Sequence, residues 1–436
     1  MKKRTLFFSI IVLLIFLIIS ISGSLNTITK AKSQNPLNKS RIEKYDGLIL
    51  LYQNGSFYEM GYQHGYLLKN EIEENYRAFL YNIDVEIYDY ILDRYNNIIS
   101  KHIPVEYLDE MHGIADGSEM SFNDVAVVNT GWYIIIDLAC TEGAVWGTAS
   151  SDGKLYHLRS YDIPYNIVDP ITGKYLVENQ ILILRRPDIG YASLQVSIAG
   201  FVENIGGFNE EGIAVSYDMS KTNDINMEAT PWTIKQKTVL DYARNTDQVI
   251  EILSNNRTGG FNFIISDAKI PNAFVCEFTS NLSYIGTWDD PVESNYPFWS
   301  IENVVRRKNF FIDRKTAITQ RFPYNPRSIF HIINFKNYHF LNWKTYKALS
   351  IELENQWGNL GLNNTMDILQ DVYCGNTDFF LYLSVNWFEG LQAYHQWVCC
   401  PETGDMVISF GDRDKKAQFC DASYFNLFEM LNSVQL

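Results

Sequence analysis

The residues with the clearest capacity for chemistry lie in one stretch: Ala139 and Cys140, the turn Ser151-Asp152-Gly153, then Arg159 and Asp162. A cysteine attacks a carbonyl carbon as the thiolate, so something must take its proton. The seven histidines are scattered and none is an obvious partner. A chain end supplies the missing base. Breaking the Ala139–Cys140 bond would leave an α-amine, with a reference pKa of about 7.7 to 8.0, on the nucleophile itself. Small Ala139 leaves its carbonyl accessible to the thiol. Arg159 offers a fixed positive charge, and Asp162, three residues on, an acceptor for the ammonium. Taken one at a time, the same residues also fit an inert buried thiol and an ordinary hairpin turn.

The elements that must position them divide the chain at Cys140. Residues 1–24 carry Met-Lys-Lys-Arg and an apolar run over 6–21, the pattern of a secretory signal or short membrane anchor. Residues 25–46 read as a polar tether, 47–139 as a helical segment, and 140–436 as the catalytic region. In the helical segment a short strand over 47–52 precedes a helix from Phe57. That helix carries Gly61 and Gly65 one turn apart, for close packing, with His64 as a core or interface histidine. Further helices are expected over 73–97 and 105–115, and from Phe122 with Ser121 as N-cap. After Cys140, strands are expected over 144–150, 155–161, 180–185, 193–198, 213–217, 261–266 and 273–278. A helix is expected over 238–254 and a late hairpin over 393–410. Antiparallel strands punctuated by helices fit stacked sheets with helices outside.

Composition bounds the rest. An apolar fraction of 46% excludes a disordered chain, and a net charge of −15 argues against nucleic-acid binding. Six cysteines without framework spacing, no Cys-x-x-Cys and no His-x-x-x-His leave a zinc site unsupported, and no metal or cofactor is expected. Five Asn-x-Ser/Thr sequons, at Asn38, Asn54, Asn256, Asn281 and Asn363, fit an exported glycoprotein.

The order Cys140, Asp152-Gly153, Arg159, Asp162 resembles the N-terminal nucleophile hydrolases. The likeness is to the branch that holds the acyl-coenzyme A:isopenicillin N acyltransferase-like autoproteolytic peptidases, choloylglycine hydrolases and acid ceramidase. Gly207-Phe-Asn-Glu-Glu-Gly212-Ile is similar to that branch's glycine and Asn turn before an oxyanion-hole strand. Seven residues after Gly212, where the branch often has Asn, this chain has Met219 beside Asp218; a Met219 backbone N–H remains available as a donor. Glu293-Ser-Asn295-Tyr-Pro-Phe resembles the branch's Asn-containing stretch, with Arg306, or in reserve Arg307, in place of an Arg found further on.

The resemblance implies an α+β fold, a four-layer αββα sandwich. It implies an enzyme that cleaves itself between Ala139 and Cys140 and consists thereafter of its own α-chain and β-chain, and the leader makes that enzyme secreted or membrane-anchored. Its small-molecule substrates would be linear, non-peptide N-acyl amides, resolved by water or an acyl acceptor through a thioester at Cys140. Asn295 and Arg306 would bind an oxyanion or a charged substrate group. A phospholipase B-like esterase of the same fold and a non-catalytic extracellular binding glycoprotein are the alternatives.

Overall fold

A computed structural model describes residues 36–45, 47–135, 139–321, 338–387 and 392–433. The chain divides into a unit Met1–Asn38 and a unit Lys39–Leu436, and the fold below is that of the second. The apolar run over 6–21 lies outside the described residues. Among the described residues no helix is long and apolar enough to cross a membrane.

Two sheets form the second unit. The larger has nine strands in the order β1-β2-β5-β6-β7-β8-β9-β10-β11: Arg41–Tyr45, Leu48–Gly55, Gln180–Pro187, Ser193–Ile198, Gly206–Asn209, Ile213–Met219, Phe261–Asp267, Asn272–Phe278 and Ser283–Gly286. Its only parallel pair is β2 with β5, among the described strands. The smaller has six strands in the order β12-β3-β4-β13-β14-β15: Val304–Lys308, Ala139–Gly147, Gly153–Asp162, Ala393–Cys400, Asp405–Phe410 and Ser423–Asn426.

Alternating side chains pack the sheets face to face. Ala144, Trp146, Leu155 and Val305 of the smaller sheet meet Ile264, Ala273 and Val275 of the larger. Leu50, Leu182 and Val196 meet Trp397, Cys399 and Met406. Helices cover both outer faces. Over the larger sheet lie α1 to α7: Phe57–Leu67, Lys69–Tyr81, Val85–Asn97, Val105–Ser118, Phe122–Ile135, Trp232–Tyr242 and Thr246–Ser254. Over the smaller lie α8 (Tyr338–Asn355), α9 (Leu362–Cys374) and α10 (Phe379–Trp387), with Leu349, Leu353, Met366 and Leu369 against Val145, Leu158 and Val398. This is the four-layer αββα sandwich.

The glycines of α1 do what close packing requires. A Cβ on Gly61 would stand 2.1 Å from the Glu110 carbonyl oxygen of α4, and one on Gly113 2.2 Å from the Tyr58 carbonyl oxygen of α1. His64 of the same helix is buried, and its Nε2 accepts the N–H of Gly200, in the connection between β6 and β7, at 2.9 Å.

Four expectations are revised. The helix expected over 73–97 is two, α2 and α3, the second capped by Asp84, whose Oδ1 accepts the Ile87 N–H at 2.9 Å. β1 lies inside the segment read as a tether, where Arg41 stacks over Tyr52 at 3.5 Å, and it pairs with β2. Residues 41–55 therefore add two strands to the larger sheet before the first helix. The helix expected over 238–254 is two helices, because Ala243 turns to extended backbone and Asn245 caps α7 through Gln248 N–H. Asn209 Nδ2 takes the freed carbonyls of Leu240 and Ala243 at 3.1 and 2.8 Å, which stabilises the break. β3 begins at Ala139 rather than at 144, so Cys140 is inside a strand.

Candidate active site

β3 lies between β4 and β12, and register decides what surrounds Cys140. It pairs with Tyr161, Ala139 with Asp162 and Glu142 with Arg159 on β4, while Thr141 pairs with Lys308 on β12. The period of two along a strand sends Cys140, Glu142, Arg159, Arg307 and Asn309 toward the larger sheet, and Thr141, Asp162, Arg306 and Lys308 toward the α8 and α9 layer.

Two contacts fix the cysteine. Arg159 donates through Nη2 to Cys140 Sγ at 3.2 Å, and the Cys140 backbone N–H donates to Asn309 Oδ1 at 3.0 Å. Asn309 in turn donates through Nδ2 to the Met219 carbonyl at 2.9 Å, and Arg159 donates through Nη1 to the Tyr217 carbonyl. These bonds tie β12, β3 and β4 to β8 across the two sheets. On β8 the Ser220 N–H bonds Gly260 on the β9 side. Backbone alternation therefore turns the N–H and carbonyl of Met219 the other way, to the edge where Asn309 sits.

The electrostatics are those of an uncut chain. Cys140 is fully buried, and burial pushes its thiol up to about 12; Arg159 opposes that, while Asp162 and Asp218 add to it. Glu142, 3.8 Å from Arg159, is pushed well up by burial first and by Asp218 second. Burial also raises the Asp218 carboxyl, against the Asn262 amide that donates to it at 2.8 Å. His157 bridges Ser216 and Ser266 at 2.8 and 2.9 Å, and burial holds it neutral, with its pKa down to about 3. His157 and His395 have their partners elsewhere, in serines and in Gln180. Neither is placed as the base for Cys140.

The structure brings Cys140, Arg159, Asp218 and Met219 together, turns the Asp162 side chain to the opposite face of the same sheet, and places the other expected residues elsewhere. Asn295 follows the turn Pro291–Ser294, before the end of β12 that pairs with Val145, the far end of that strand from Asn309. Arg306 points to α8, where Nε donates to Ser350 Oγ at 2.7 Å and Nη2 to the Trp299 carbonyl at 2.6 Å. Arg307 is held by Glu293 at 2.9 and 2.6 Å and by Glu277 at 3.0 Å. The position beside the Cys140 nitrogen belongs to Asn309. Reading Val304 to Asn309 as a strand would have found it, because a period of two puts Val305, Arg307 and Asn309 on one inward face.

An apolar cavity of about 200 Å³ lies beside this centre, walled by Met219, Ile225, Met227, Trp232 and Phe261, with Lys221 and Arg321 also in its lining. The Trp232 and Phe261 rings stack with centroids 3.8 Å apart. Cys140 shares one contiguous apolar cluster with Met219, Trp232 and Phe261. Among the described residues no group of three or more acidic, His or Cys side chains is placed to hold a metal ion.

Residues 148–296 match the sequence profile of the Acyl-coenzyme A:6-aminopenicillanic acid acyl-transferase family. The acyl-transferase match takes in the β3–β4 turn, Arg159, Asp162, the β7–β8 turn and Asn295, and Cys140 lies just ahead of it. An uncharacterised protein of Archaeoglobus fulgidus is 25% identical over 258 residues, 51% of this chain and 42% of that protein. Protein dcd1A of Dictyostelium discoideum is 22% identical over 288 residues, 59% of this chain and 64% of that protein. The chain thus spans less than two thirds of either relative. Among solved structures it is similar to a mutant conjugated bile acid hydrolase from Clostridium perfringens, at 14% identity and a TM-score of 0.34 over 66% of this chain and 96% of that one. A Caenorhabditis elegans N-acylethanolamine-hydrolyzing acid amidase ortholog stands at 12% identity and 0.37, over 66% and 99%. Penicillin V acylase from Agrobacterium tumefaciens stands at 10% and 0.37, over 66% and 87%.

Proposed function

We propose that this protein is an amide hydrolase or acyltransferase of the N-terminal nucleophile type, exported by its leader, that exposes its own nucleophile by cleaving Ala139–Cys140. The observation that carries the reading is the double contact on Cys140: an arginine on its sulfur and an asparagine on its nitrogen.

In self-cleavage the Cys140 sulfur forms a bond to the Ala139 carbonyl carbon. The carbon–nitrogen bond breaks, and the nitrogen takes the thiol proton to become an amine. Water then hydrolyses the thioester, leaving a carboxylate on Ala139 and a free thiol on Cys140. In turnover the amine takes the thiol proton, as a base carried by the nucleophile. The sulfur attacks the substrate carbonyl, and the developing oxyanion meets backbone N–H donors such as that of Met219. The leaving amine departs with a proton, and water or an acyl acceptor resolves the thioester. Asn309 holds the amine, Arg159 steadies the sulfur, and the apolar cavity takes the acyl group.

Hydrolysis of a panel of N-acyl amides, matched with esters of the same acyl groups, tests this. Amide turnover is expected in the wild type and is expected to vanish in Cys140→Ala. Undiminished turnover by that variant removes Cys140 from the reaction, and turnover of the esters alone favours the esterase.

A further inference from the structure

Cys140 presents its side chain on one face of β3, and the opposite face carries a second polar cluster. Lys308 Nζ lies 3.2 Å from Asp162 Oδ2 and donates to the Tyr373 hydroxyl at 3.1 Å. The Tyr373 hydroxyl donates to the same Asp162 oxygen at 2.8 Å and lies 2.6 Å from Thr141 Oγ1. Ser160 Oγ donates to the other Asp162 oxygen at 2.8 Å. The Lys308 and Asp162 side chains are 0% and 5% exposed, so water screens their charges little. Strand register sets the pair at the scissile bond, with Asp162 opposite Ala139 and Lys308 opposite Thr141.

A buried ion pair is costly to build and is weak evidence of stability by itself, so its place beside the nucleophile calls for another explanation. The charged and titratable groups around Cys140 are, on its own face, Glu142 from its own strand, Arg159 and Tyr161 from β4 and Tyr217 and Asp218 from β8, and, on the opposite face, Asp162 from β4, Lys308 from β12 and Tyr373 from α9. Arg159 binds the sulfur directly and stands opposite Glu142 and Asp218. On the other face, Lys308 stands against Asp162.

We propose that Lys308 is a positioning residue that neutralises Asp162 beside the Cys140 nitrogen, so that the amine freed there works as a base near neutral pH. The inference rests on the proposed cleavage at Cys140, and Lys308 acts through Asp162 without touching the reacting atoms. Without the ammonium, the Asp162 charge would favour the protonated amine and disfavour the thiolate. Both groups would then lose their protons only at higher pH.

The test is the pH dependence of Cys140 alkylation by iodoacetamide, followed by mass in the full protein, together with the pH profile of kcat/KM. Lys308→Met is expected to move the alkylation midpoint and the acid limb upward by about one pH unit, and Lys308→Arg to leave both within a few tenths of wild type. Lys308→Met combined with Asp162→Asn removes both charges, keeps the buried site neutral if the single variant fails to fold, and is expected to return the alkylation midpoint toward wild type. The proposal is overturned by a Lys308→Met midpoint that coincides with wild type, by an equal shift in Lys308→Arg, or by a shift that persists in the double variant. Alkylation reads the thiol itself. A wild-type chain that stays uncut refutes the parent reading and still leaves the Lys308 shift measurable.

Discussion

Asn309 Oδ1 accepts the Cys140 backbone N–H at 3.0 Å, and its amide nitrogen reaches the Met219 carbonyl at 2.9 Å. One asparagine thus holds the nitrogen of the proposed scissile bond and the strand proposed to supply the oxyanion donor. Asn309→Ala is expected to slow the appearance of the two chains by about 10² to 10³-fold, the scale of losing one well-placed polar contact to a developing charge. Asn295→Ala, at the far end of β12, is expected to change that rate less than about threefold. Timed mass spectra of freshly purified protein check this, and the reverse ranking would reassign the amide role to Asn295.

Glu203 predicts a pH effect on stability away from the chemistry. It is buried, its Oε2 has no partner, and burial pushes its carboxyl up to about 8. A native pKa above the unfolded value of about 4.3 means that its stabilising effect is complete below that pH and is lost as pH rises through 8. His64 and His157, with pKa values down near 3, act in the opposite sense, so a difference measurement is needed. The Tm of Glu203→Gln minus that of wild type is expected to be more positive at pH 8.5 than at pH 5. Equal differences at the two pH values would contradict it.

The α1–α4 contact predicts a costly alanine. Gly61→Ala drives a methyl to within 2.1 Å of the Glu110 carbonyl, and relief requires the helices to part. Overpacking of this kind costs about 1 to 3 kcal/mol or more. Gly153→Ala meets open space and only the strain of φ 78°, about 1 kcal/mol. Denaturant midpoints should rank Gly61→Ala as the more damaging.

Local signals carried much of this fold. The glycine pair of α1, the Ser121 start of α5, and the late hairpin were legible because spacing and turn residues report on their own neighbourhood. The order Cys140, Arg159, Asp162 was legible for the same reason, since all three lie on one hairpin. Asn309 and Lys308 were not. Their roles come from pairing β12 with β3 across about 170 residues of chain, whereas the resemblance points to an Arg at that place and so to the neighbouring Arg306 and Arg307. Tyr373 arrives from α9 and was not legible at all. β1 was missed because its polar alternation resembles a linker until Tyr52 stands beneath Arg41.

The most direct measurement is the intact mass of the purified protein under non-reducing and reducing conditions, with the N-terminal residue of each chain. Active protein is expected as two chains, one of them residues 140–436 beginning at Cys140, and Cys140→Ala as a single chain. An active wild-type protein that remains one uncut chain, or one cut at any other bond, would contradict it.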